Sequence, residues 1–80
     1  MRSNVEIIIE ILEGVRRGLS KNKIKNKGYF DHRVFQKYFN HMVENKIIEV
    51  REDGYRLTSK GETVLEDGKN ILSVTQGIKT

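Results

Sequence analysis

Arg33, Gln36, Lys37 and Asn40 recur at three- and four-residue intervals, and their side chains suit the edges of nucleobases, Arg and Lys for guanine, Asn and Gln for adenine. At 100° per residue Arg33, Lys37 and Asn40 fall on one side of a helix, Gln36 and His41 flank them, and Glu44 closes that side. The plainer alternative is an ordinary solvated helix face. His32 and His41, with Asp31 and Glu44, are of the right types for a metal site or an acid-base pair. Residues 41 and 44 share a face, but nine residues of helix put His32 about 13 Å from His41 along the axis, too far for one ion held by a single chain. His32 fits better as a surface group near phosphates. No nucleophile-base pair, glycine-rich phosphate cradle or metal-spaced motif occurs, so catalysis is not expected, and no cofactor, metal or small-molecule substrate is implied.

Charge narrows the partner. The chain carries a formal net charge of +4, yet between residues 16 and 37 eight basic residues face Asp31 alone, a local balance of +7 that leaves −3 elsewhere. Such a split orients approach to a polyanion and neutralises phosphates locally, although a solvated lysine-rich helix has the same composition. Lys21, Lys23, Lys25 and Lys27 alternate and cannot all face one way. Lys21 and Lys23, at a helix start with free N–H groups, are expected to reach phosphates. Arg51 and Arg56 flank Asp53-Gly54, where a hairpin tip would meet the minor groove or the backbone. Glu52 and Asp53 argue against deep insertion.

These residues need a scaffold, and eighty residues that are 36% apolar, without Cys, Pro or Trp, make one small domain spanning 1–80. The absence of cysteine rules out a disulfide framework and a thiolate zinc cluster. Stability must come from packing, with self-association a common aid to cores this small. The longest strongly apolar run, Ile7 to Ile9, is far below the roughly 18 residues of a membrane span. Glu6, Glu10 and Glu13 interrupt the start as no signal peptide would. A soluble, cytoplasmic protein is expected.

Periodicity supplies the elements. Asn4 is the expected cap of a first helix over about 4–17, with Val5, Ile8, Ile9, Leu12 and Val15 on one face. Ile7 and Ile11 form a second strip, which packs on a C-terminal helix or meets another protomer. Gly18 ends that helix. Ser20 caps a short second helix through Lys27, and Gly28 supplies the positive-φ stop. Asp31 caps the third, whose apolar stripe is Phe35, Tyr38, Phe39, Met42 and Val43. Tyr29, Phe30, Tyr38 and Phe39 suit the core better than a stacking platform for single strands. Ile47, Ile48 and Val50, then Asp53-Gly54, then Tyr55 and Leu57 read as two short strands and a tight turn. Thr58 or Ser59 caps a last helix over about 59–73, weakened at Gly61 and Gly68 by about 1 kcal/mol each relative to Ala. Residues from about 77 onward are expected to fray.

Helix, short helix, turn, amphipathic helix and ribbon, in that order, predict a mainly α fold with a small β-hairpin (α+β). It is a winged helix-turn-helix with a three-helix core, a wing and a C-terminal helix, and its third helix enters the major groove. Phe30-Asp31, Phe35, Tyr38-Phe39, Met42, Ile47-Ile48, Tyr55, Leu57-Thr58, Lys60-Gly61 and Leu65-Glu66 together resemble an archaeal family of small winged-helix DNA-binding proteins. That family includes roughly 10 kDa chromatin-type proteins. The likeness runs from Val5 to about Leu72, with Tyr-x-Leu-Thr-x-Lys-Gly at 55–61 as its most specific segment. It implies double-stranded DNA as partner, a role in transcription or chromatin organisation, an archaeal or archaeal-virus host, and a dimer held by long C-terminal helices in a coiled coil. Gly68 and the short segment beyond it count against a long coiled coil here. A homodimer is still expected, through Ile7, Ile11, Ile71, Leu72, Val74 and Ile78. The competing class is a protein-docking module, because the fold does not determine function.

Overall fold

In the computed structural model, residues 3–78 are described, with side chains through residue 74. The elements are α1 (Asn4–Arg16), α2 (Lys21–Lys27), α3 (His32–Glu44), β1 (Ile48–Arg51), β2 (Gly54–Leu57) and α4 (Ser59–Ile78), the predicted order. The strands form one antiparallel hairpin in which Ile48 opposes Leu57 and Arg51 opposes Gly54.

Helix α1 is capped one residue earlier than expected. Ser3, not Asn4, accepts from the Glu6 N–H at 3.2 Å, while the Glu6 carboxylate takes the Ser3 N–H at 3.0 Å, a reciprocal capping box. Asn4 instead accepts the Tyr38 hydroxyl at 2.6 Å and ties the start of α1 to α3. Gly18, at φ 79, ends α1 as expected. Both apolar strips of α1 are used, because α1 packs on α4 and also meets α2 and β2. Ile11 is therefore 0% exposed, a core residue that cannot reach a second protomer. Ile7 and Leu72 are also packed against the core, though only partly buried.

Ser20 caps α2 as predicted, accepting from the Lys23 N–H at 3.2 Å. The positive φ at its end falls on Tyr29 (φ 53), whereas Gly28 has φ −86. Gly28 serves contact instead: a Cβ there would stand 2.3 Å from the Phe30 ring. Asp31 occupies the cap position of α3 but makes no side-chain cap bond.

After β2 the chain turns into α4 around Thr58. Its hydroxyl donates to the carbonyls of Lys46 and Ile47 and accepts the Gly61 N–H at 3.0 Å, while the Thr58 N–H donates to Ile47 O at 3.1 Å. Gly61 sits so close beneath that a Cβ would be 2.2 Å from the Ile47 carbonyl oxygen. The Leu-Thr-x-x-Gly segment is thus a corner, with the threonine as cap and the glycine as clearance. Helix α4 then runs 20 residues to Ile78, past the expected end near 73. Gly68 does not stop it, because it lies against Ile9, where a Cβ would come within 3.1 Å, and close packing on α1 offsets its poor propensity. Lys69 pairs with Glu13 at 2.9 Å across the same contact. Of the tail expected to fray, 77 and 78 are helical and 79–80 lie outside the described residues.

Candidate nucleic-acid interface

The inner face of α3 is held by a row of aromatic rings. Phe30 meets Phe35 with centroids 5.7 Å apart, Phe35 meets Phe39 at 5.5 Å, and Phe39 meets Tyr55 edge-on at 4.8 Å. Phe35, Phe39 and Met42 are buried. Aromatic pairs of this kind add about 0.5–1.5 kcal/mol each beyond area burial. They also join the turn before α3, the helix itself and the hairpin behind it into one body.

Rotation about α3 is settled by that row. Arg33, Lys37 and Asn40 lie opposite it and are exposed, as are His32 and His41. Gln36 behaves differently: it is half-buried, and its Oε1 is screened from solvent without a hydrogen-bond partner. A bidentate contact from Gln36 to adenine would require another rotamer. Val34, which lies off the apolar stripe, is exposed beside Arg33, and its methyl groups suit the methyl of thymine.

The cations of α2 divide. Lys23 is exposed, but Lys21 is half-buried with its ammonium 4.9 Å from the centroid of the Phe39 ring, a cation–π contact. Its charge therefore sits between α2 and α3 and is less free to follow a phosphate than that of Lys23. Lys25 brings its Nζ within 3.4 Å of His32 Nδ1 and joins the start of α3.

On the hairpin, Glu52 and Asp53 form the tip, and Gly54, at φ 136, already pairs with Arg51, one residue off the expected Asp53-Gly54 turn. Arg51 bonds Glu49 at 2.6 Å, and Arg56 lies 3.8 Å from Asp53, all four side chains being well exposed. Each arginine therefore has a carboxylate beside it. Tyr29, expected in the core, is 90% exposed. His32 and His41 do not converge, and among the described residues no group of three or more His, Asp and Glu is placed to share a metal ion. Among those residues, too, no helix is long and apolar enough to cross a membrane.

Residues 1–76 match the family model of the winged helix-turn-helix. This chain belongs to that family. Its α2 and α3 are the helix-turn-helix pair, the β1–β2 hairpin is the wing, and proteins of this family generally bind DNA. The winged helix-turn-helix is also 36% identical over 72 residues to an uncharacterized protein of the archaeon Methanocaldococcus jannaschii. That match takes in 89% of this chain and 34% of the relative, so the chain spans about a third of that protein's length.

Proposed function

We propose that the protein binds double-stranded DNA, with α3 in the major groove and the wing on the backbone or minor groove, as a regulator of transcription or a chromatin-type architectural protein of the nucleoid. One observation carries this reading: Arg33, Lys37 and Asn40 stand together on the free face of α3, while the Phe30–Phe35–Phe39–Tyr55 row holds the opposite face. Lys23, Lys25 and His32 extend the cationic and hydrogen-bonding surface toward the start of α3. Arg51 and Arg56 contribute less, because Glu49 and Asp53 offset them.

Salt tests the mechanism. A homodimer neutralising roughly four to six phosphates per protomer gives a log–log slope of affinity on salt of about −7 to −11. Isothermal binding to a random duplex across a salt series measures it. A slope near zero contradicts phosphate binding and favours a docking module, whose partner would stay bound at high salt.

The homodimer belongs to the same proposal. On α4, Ile71 is 55% exposed and Val74 64% exposed, and half-buried Leu72 lies between them. Ile11 leaves the interface because it is buried, Ile7 contributes at most its exposed edge, and the Ile78 side chain lies outside the described residues. A dimeric mass in light scattering at ~100 µM, in the range of weak interfaces, is the expected result. A monomer at that concentration removes the dimer and about halves the salt slope.

A further inference from the structure

The turn between α2 and α3 carries a residue poorly suited to it. Tyr29 has φ 53, in the left-handed region that bulky L-residues enter only against steric resistance. The turn demands that value: the Tyr29 N–H donates to Asn26 O at 3.2 Å, and the Phe30 N–H donates to Lys25 O at 3.1 Å, which closes the end of α2. Phe30 is drawn inward onto Phe35, and its ring fills the space over Gly28. With Phe30 inward, Tyr29 points out and is 90% exposed.

Glycine or asparagine would close the same turn with less strain, and the tyrosine ring gains nothing from burial. Strain and an exposed aromatic coincide at one position, a pairing expected of a contact residue. The surroundings indicate what is contacted. Lys25 lies against His32, Lys27 and Arg33 are exposed, and Tyr29 is four residues ahead of Arg33, where the chain enters α3. Asp31 and the Glu10 carboxylate beside Gly28 offset part of this charge, but Lys25, Lys27 and Arg33 outnumber them, and the tyrosine adds a neutral hydrogen-bond donor.

We propose that Tyr29 is a duplex-contacting residue: its hydroxyl donates to a backbone phosphate bordering the groove that α3 enters, and its ring rests on the adjacent deoxyribose. Lys25 and Lys27 supply the neighbouring positive charge. This inference rests on the DNA-binding reading above, and the experiment separates the two.

The wild type, Tyr29→Gly and Tyr29→Phe are compared at one fixed salt concentration by fluorescence anisotropy on a random duplex and on a single strand of the same length, with thermal unfolding in parallel. Tyr29→Gly is expected to melt at or above the wild-type temperature, because the strain is relieved, yet to bind duplex about tenfold more weakly, having lost the hydrogen bond to a charged group and the contact of the ring together. Tyr29→Phe keeps the ring and the strain and is expected to lose several-fold through the hydroxyl alone. A wild type that fails to bind duplex defeats the DNA-binding reading and this inference with it. A wild type that binds, with both variants equal to it, overturns this inference alone. Loss confined to the single strand also overturns it, in favour of base stacking.

Discussion

Alanine at Arg33 and Lys37 together is expected to weaken duplex binding by about 2 kcal/mol or more, roughly 30-fold in Kd, at fixed salt. Both side chains are exposed on the free side of α3, so the thermal unfolding midpoint should stay within the small range typical of surface substitutions. The paired change Arg51→Ala with Arg56→Ala removes the same formal charge from the wing. It should cost far less, because Glu49 and Asp53 already offset those arginines. Anisotropy titrations of the two double variants give the comparison. Equal losses would mean that net charge, not the face of α3, governs binding, and no loss from the α3 pair would move the contact surface elsewhere.

The largest effect on stability is expected at Phe39. Its ring is buried and touches Phe35 and Tyr55, with the Lys21 ammonium on its face. Phe39→Ala leaves a cavity where helix and wing meet and should cost about 3–5 kcal/mol. A domain of this length has a total of only about 4–12 kcal/mol, at roughly 0.05–0.15 per residue. Much of the stability is therefore at stake, and chemical denaturation should show a midpoint shift large enough to leave the variant partly unfolded at room temperature. Phe39→Leu, which keeps most of the volume, should retain the fold. A Phe39→Ala protein as stable as the wild type would mean that the aromatic row does not hold α3.

The face of α3 was legible in the sequence because one period governs both its sides: the stripe from Phe35 to Val43 requires Arg33, Lys37 and Asn40 to point away. The Ser20 cap of α2 was legible for a similar reason, since it depends on the Lys23 N–H three residues on. Elsewhere, distant neighbours decided. Ile11 lies on a strip that could face either α4 or another chain, and only the packing of the core around α1 buries it. Tyr29 belongs to a residue type that is usually at least half-buried, yet the hydrogen bonds closing α2 require a φ that directs it outward. The Ser3 and Asn4 caps differ by one residue between two good capping types, and the reach of Glu6 back to Ser3 decides between them. Lys21 and Gln36 were assigned to the right elements, but the Phe39 ring under one and the screened Oε1 of the other are consequences of packing that spacing does not encode. On the wing, Glu49 and Arg51 are two residues apart on one strand face, so their pairing could have been read in advance and the arginine weighted less.

The central claim is that the outward side of α3 is the surface that meets the duplex. Backbone amide chemical-shift mapping during titration with a short duplex addresses this residue by residue. The largest changes are expected over residues 29–40, led by Tyr29, Arg33, Lys37 and Asn40, with smaller changes at the wing and little change on α4 around Ile71 and Val74. Changes concentrated on α4, with α3 silent while the duplex is bound, would contradict it.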